Sequence, residues 1–197
     1  MSARAWVADV TEAEPVARLL VAFRDWYGRD WPSDNAFLAS VERLIEDPST
    51  DYLLGTRDDD SPPVGVCQLR YRFSIWTATD DCWLEDLFVL EAERGAGVGS
   101  ALIELALERA VKRGCRRIEL DTNEDNPALA LYERFGFSPT YKSAPARNLF
   151  LGRRLDEEEF DNLLFAHGEP WIGGGHAALR TFVDSGGWTA GAEVFAP

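Results

Sequence analysis

Apolar residues recur along this chain at two spacings, and the switches between the spacings mark out its elements. Val16, Leu19, Leu20 and Phe23 follow one another at steps of three and four, the period of one helical face. Thr11 and Glu14 precede the run at the separation of a capping box, and Gly28 follows it, so a helix is predicted to about Trp26, after an opening strand over Trp6–Val10. Arg29–Ser33 reads as a loop. A second helical run, Phe37, Leu38, Val41, Leu44 and Ile45, stops before Asp47-Pro48. The period then changes: Tyr52–Gly55, Val64–Phe73 and Trp83–Leu90 read as strands, the first two separated by the turn-forming Arg57–Pro63. These look like neighbours in an antiparallel run. The helical period returns from Val98 to Arg113, stops at Gly114 and gives way to a strand over Arg117–Thr122, a strand–helix–strand crossover. A helix over about Pro127–Phe135, ended by Gly136, and a closing strand over Leu149–Leu155 complete the pattern. The predicted class is α/β: one domain over residues 1–155, with a mixed sheet flanked by helices.

Composition narrows the role of this domain. The chain has 197 residues, enough for one substantial core, and its apolar runs fall far short of the roughly 18 residues a membrane helix needs. The start runs into a strand-like segment without the apolar stretch of a secretory leader, so a cytoplasmic location is expected. Cys67, Cys82 and Cys115 are odd in number and widely spaced, which points to reduced core thiols. The net charge of −14, from 20 basic and 34 acidic residues, would repel nucleic acid and anionic membranes and favour cationic small molecules, or serve solubility alone. Residues 156–197 differ from the rest, with Asp156, Glu157, Glu158, Glu159, Asp161, Glu169, Asp184 and Glu193 facing only Arg180. Phe160, Phe165, Trp171, Phe182, Trp188 and Phe195 make this segment too aromatic for a solvated tail. It is expected to pack on the domain or on a second subunit, as in a homodimer. His167 and His176 lie in this segment without a pattern of carboxylates or cysteines around them, so no metal is expected.

The chemistry concentrates in one stretch. Between the strand ending near Leu90 and the helix beginning near Val98 lies Arg94-Gly95-Ala96-Gly97-Val98-Gly99-Ser100. A glycine-rich turn at a helix start aims several backbone N–H groups at one point and adds the positive end of the helix dipole, the requirement for holding a pyrophosphate. A P-loop needs a lysine that is absent before Lys112, and the dinucleotide fingerprint needs a third glycine where Ser100 stands. The spacing that does fit is Arg-x-x-Gly-x-Gly, through Arg94, Gly97 and Gly99. Downstream, the stretch Asn123–Phe137 carries Ala128, Tyr132, Gly136 and Phe137 in the order Asn-x-x-Ala-x-x-x-Tyr-x-x-x-Gly-Phe, with Asp125 where that pattern has asparagine and Asn126 one residue later. With these two signatures the chain resembles the GCN5-related N-acetyltransferase (GNAT) superfamily over about residues 4–155, most strongly over 83–137.

The resemblance implies a mostly antiparallel sheet with splayed central strands and acetyl-CoA as cosubstrate. By the same resemblance Leu87, Phe88 and Val89 receive the pantetheine arm, Arg94, Gly95, Ala96, Gly97, Val98, Gly99 and Ser100 hold the pyrophosphate, and either Asp125 or Asn126 faces the cofactor. Tyr132 is implied as the general acid near the coenzyme sulfur, and the Val89 N–H as a partner for the thioester carbonyl. The strand period places Glu85, Leu87 and Val89 on one face and Asp86 on the other. Glu85 resembles the glutamate at this strand position in spermidine/spermine acetyltransferases and is the candidate for positioning the amine or taking its proton. Trp26, Tyr27 and Trp31 cluster where the superfamily builds its acceptor pocket, and aromatic walls near carboxylates suit a cationic amine. The implied reaction is direct attack of a small, polyamine-like primary amine on acetyl-CoA in a ternary complex. The competing class is a non-catalytic acyl-CoA sensor or interaction module that keeps the loop without acceptor chemistry.

Overall fold

Two helical hairpin arms and a crossover helix divide the two faces of one sheet between them. A computed structural model describes residues 3–139 and the paired strands β6 (Asn162–Leu163) and β7 (Trp171–Ile172). Strands β1 (Arg4–Val7), β2 (Thr50–Thr56), β3 (Gly65–Ser74), β4 (Thr79–Val89) and β5 (Ile118–Glu119) form the main sheet in that order. All neighbours are antiparallel except β4 and β5, which α3 (Val98–Lys112) joins as a parallel crossover. The sheet is thus mixed and mostly antiparallel, as expected. The expected strand at Leu149–Leu155 and the aromatic residues of the C-terminal segment other than Trp171 lie outside the described residues, and of Trp171 only the strand backbone is described.

Alternation assigns the faces. Tyr52 and Leu54 of β2, Val66 of β3 and Phe88 of β4 pack against Val16, Leu19 and Leu20 of α1 (Ala13–Trp26) and Val41 of α2 (Asp34–Ile45). Leu53, Cys67, Leu69, Cys82 and Leu84 face the other way, onto Val98, Leu102, Ala106 and Ala110 of α3. Burial of two such apolar layers is the main stabilising contribution. The chain reaches α1 differently from expectation. The capping box is Asp9 with Glu12, not Thr11 with Glu14: Asp9 Oδ1 accepts the Thr11 N–H at 2.8 Å and Glu12 Oε2 accepts the Asp9 N–H at 3.1 Å. That places a short 3-10 turn, Val10–Glu12, before α1 and ends β1 at Val7.

One buried ionic contact ties α3 to the sheet. Asp51 of β2 accepts the Tyr71 hydroxyl at 2.8 Å and the Arg109 Nε at 2.9 Å, while Arg113 stacks over the Tyr71 ring at 3.9 Å. Removing one partner leaves the others' buried charge and hydroxyl unmatched. Asp51→Ala is expected to lower stability by about 2 kcal/mol, seen as an earlier urea midpoint with an unchanged slope.

Candidate active site

Strand β4 holds the first departure from simple alternation that matters to function. Its register to β3 runs Cys67 to Leu87 and Gln68 to Asp86, then jumps to Leu69 with Leu84, leaving Glu85 as the extra residue of a β-bulge. A bulge reverses which face the following side chains take. Cys82 and Leu84 therefore pack on the α3 face whereas Phe88 packs beneath α1. Leu87 and Val89 share the α3 face as the sequence pattern implied, but Glu85 is an exposed bulge residue and not a member of their row. Asp86 is turned with Phe88 toward the α1 side.

The second departure is a gap in the sheet. β5 pairs with β4 only at Ile118 with Cys82 and Glu119 with Trp83, fewer residues than the expected Arg117–Thr122 strand. Beyond that point the two strands separate, the splay expected of the central strands. Leu90 N–H bonds the Val64 carbonyl of the β3 side at 2.9 Å, so the preceding Val89 N–H faces the opposite, open edge. The Val89 carbonyl accepts Arg94 Nε there at 3.1 Å.

Where the strands part, a cavity of about 440 Å³ opens between β4, the start of α3 and α4 (Leu129–Arg134). Leu87, Phe88 and Val89 form one wall, and Arg94, Gly95, Gly97, Val98, Gly99 and Ser100 form the floor. Phe23 and Trp26 of α1, with Tyr27 at its C-terminal cap, close one end, and Asn126, Tyr132 and Arg134 face them from the other side. Gly97 has φ +89° as the N-cap of α3, and no side chain caps that terminus. Ala101 is the first helical residue whose N–H bonds back, to the Gly97 carbonyl at 3.0 Å, which leaves the Val98, Gly99 and Ser100 N–H groups for another acceptor. A Cβ on Gly99 would stand 3.2 Å from Leu131 Cδ2, so glycine keeps this floor open. Three free N–H groups at the positive end of a 15-residue helix fit a diphosphate.

Residues from distant elements complete the walls. Phe23 stacks on Phe88 at 4.9 Å between ring centres, and the Arg94 guanidinium lies 4.7 Å from the Trp26 ring centre. The loop and the aromatic end wall are therefore one packed unit. Arg134 reaches across from α4 to Ser100 Oγ, placing a second cation beside the helix start. Neither Phe23 nor Arg134 stood out in the sequence; the basic residue two positions after Tyr132 was the available signal. Asn126 lines the cavity while its side chain braces the turn into α4, accepting the Ala128 N–H at 2.9 Å and donating to Thr122 Oγ1 at 2.7 Å. Ala96, Asp125, Glu85 and Trp31 are not among the lining residues.

Two ionisable groups are set by their surroundings. Tyr132 is buried and edge-on to Phe137 at 5.9 Å, and burial, reinforced by nearby Cys67 and Tyr27, pushes its hydroxyl up to about 12. It stays a proton donor at neutral pH. Burial, with the charges of Glu85 and Asp121, raises Asp86 from 3.8 to about 6. The folded protein then holds this proton to higher pH than the unfolded chain does. Stability is untouched below pH 3.8, falls as pH rises through 3.8 to about 6, and stays lower above. Asp86→Asn should remove on the order of 2 kcal/mol of that fall, measured as the difference between denaturant midpoints at pH 4 and pH 7.

Comparison with known proteins gives the class of this cavity. The chain matches the acetyltransferase (GNAT) family over residues 18–137 and belongs to that family, and with it to the acetyl-transferring enzymes. It is 34% identical over 113 residues to an Agrobacterium fabrum acetyltransferase, Atu2258, across 51% of this chain and 77% of that protein. It is 28% identical over 110 residues to a putative [ribosomal protein bS18]-alanine N-acetyltransferase of Bacillus subtilis, across 55% of this chain and 65% of that protein. A solved putative acetyltransferase from Arthrobacter sp. FB24 superimposes with a TM-score of 0.69 at 26% identity, covering 77% of this chain and 95% of that one. Members of the family use acetyl-CoA, and no helix among the described residues is long and apolar enough to cross a membrane. No group of three or more metal-type ligands occurs among the described residues.

Proposed function

We propose that this protein moves the acetyl group of acetyl-CoA directly to a small-molecule primary amine, within a ternary complex. The observation that carries the reading is the alignment, in one cavity, of the α3 N–H groups, the open Val89 N–H and the Tyr132 hydroxyl. The Val98, Gly99 and Ser100 N–H groups and Arg134 would hold the pyrophosphate, and Leu87 to Val89 the pantetheine arm. Acetyl-CoA supplies an activated acyl group. Val89 N–H is the donor for charge developing on the carbonyl oxygen, and Tyr132 holds the proton that the departing sulfur requires. Cys67 is fully buried with its thiol held protonated by that burial, which disfavours an acyl-enzyme route through it.

The acceptor end is aromatic, with an acidic cluster beyond the lining. Trp26 and Tyr27 give π faces to a cation, and Glu85 and Asp121 lie close enough to Asp86 to raise its carboxyl. In this reading Asp86 takes the amine proton and Glu85 contributes attraction from the bulge. A cationic acceptor of the diamine or polyamine type fits best, and the net charge of −14 favours its approach. A protein amine is the second reading, favoured by the similarity to the putative ribosomal-protein alanine acetyltransferase.

The test is release of coenzyme A thiol from acetyl-CoA against diamines, amino sugars, amino acids and peptides. The reading expects diamines to give the highest kcat/KM, rising with pH through about 6 and losing that limb in Asp86→Asn. Preferential use of peptides would transfer the assignment to a protein acceptor, and coenzyme binding without turnover would make the protein a sensor.

A further inference from the structure

The bulge at Glu85 does more than free a carboxylate. It brings Asp86 into line with polar side chains from two other strands. Across the sheet, Tyr52 of β2 is the register partner of Gln68 of β3, and Gln68 is the partner of Asp86 of β4. All three lie on the α1–α2 face, as the packing of Tyr52, Leu54, Val66 and Phe88 on that face shows.

The neighbouring rows on this face are already engaged. One step toward the cavity, Leu54, Val66 and Phe88 are apolar and packed under α1. One step the other way, Arg70 donates to Thr50 Oγ1 at 2.9 Å and pairs with Asp47 at 3.8 Å. The middle row differs. Tyr52 and Gln68 are 2% and 7% exposed, yet neither side chain, nor that of Asp86, has a hydrogen-bond partner among the described residues. Nor are their polar atoms sealed away: Asp81 Oδ1 is the one side-chain polar atom among the described residues that is both fully enclosed and unpartnered. Tyr52 and Gln68 are buried and Asp86 is half-buried, and the three present a continuous row of side-chain hydrogen-bonding atoms.

We propose that Tyr52, Gln68 and Asp86 form an acceptor-recognition row, in which Asp86 meets the reacting amine and Gln68 and Tyr52 bind a second polar group about 5 Å away, the spacing of adjacent strands. The proposal rests on the small-amine reading above and adds what that amine must carry. An amine or a hydroxyl on a three-carbon spacer satisfies it. The Gln68 amide can donate or accept, and the Tyr52 hydroxyl can do both, so charge on the second group is not required.

Three acceptors of equal length separate the alternatives: n-butylamine, 3-aminopropan-1-ol and 1,3-diaminopropane, each assayed by thiol release at saturating acetyl-CoA. The native protein is expected to use the latter two about tenfold better than butylamine, with the difference in KM. Tyr52→Phe and Gln68→Leu should erase that preference while leaving KM for acetyl-CoA unchanged. Preference for the diamine over the alcohol would assign the second group as a cation, and equal use would assign it as a neutral hydrogen-bonding group. Both outcomes support the row. Equal use of all three acceptors by the native protein, or variants that weaken all three alike, would overturn it. Tyr52→Phe keeps its ring in the core and decides the matter alone where Gln68→Leu fails to fold. If no amine is acetylated at all, the small-amine reading fails first. The row is then judged by saturation-transfer NMR of the three compounds on the native protein, where binding of butylamine as strong as that of the others contradicts it.

Discussion

Tyr132→Phe is expected to lower kcat by about a hundredfold or more while leaving the dissociation constant of coenzyme A within about twofold of native. The reasoning starts from burial. The ring is 7% exposed and braced against Phe137, and phenylalanine keeps that packing. Only the hydroxyl is lost. Because its surroundings raise it to about 12, it is protonated throughout the working pH range and can give its proton to a departing thiolate. Steady-state rates with a good amine, together with calorimetric titration of coenzyme A, separate the two quantities. A kcat within threefold of native would reduce Tyr132 to a packing residue.

Gly97→Val should weaken coenzyme A binding about a hundredfold. Valine is strongly disfavoured at φ +89°, so the turn would move, and with it the start of α3. The Val98 to Ser100 N–H groups would no longer converge, and losing two charge-assisted hydrogen bonds of about 1.5 kcal/mol each gives that factor. The core faces of α3 begin at Val98 and Leu102 and continue through Ala110, so the fold itself should persist with a modestly earlier thermal midpoint. Calorimetry with coenzyme A alone checks this, independently of any acceptor. Unchanged affinity would mean that the loop does not hold the pyrophosphate.

Local features of this molecule were legible in its sequence, and pairings between distant residues were not. The glycine-rich turn before α3 is marked by its spacing, and Gly95 and Gly97 there adopt left-handed backbone. The periods of α1, α2 and α3 locate those helices because each buries one stripe of side chains. The bulge at Glu85 is different. Whether a strand carries an extra residue depends on the partner it meets, and the register with β3 is set by Gly65–Ser74 as much as by β4 itself. Alternation read straight through Glu85 therefore misplaced that side chain, while it put Asp86 correctly on the face opposite Leu87 and Val89. A capping box offers the same lesson on a smaller scale, since both Asp9/Glu12 and Thr11/Glu14 satisfy the spacing and only the path of β1 selects between them. The Asp51–Arg109 clamp, the reach of Arg134 to Ser100 and the stack of Phe23 on Phe88 join segments far apart in the chain, and no local pattern encodes them.

Acetyl transfer to an amine without an acetylated protein intermediate is the central claim, and mass spectrometry of a single-turnover mixture tests it most directly. Native protein, a slight excess of acetyl-CoA and 1,3-diaminopropane should yield monoacetylated diamine and free coenzyme A, with the protein's own mass unchanged at every time point. Persistent acetyl-CoA with no acetylated amine, or an acetyl group accumulating on the protein before it reaches the amine, would contradict the account.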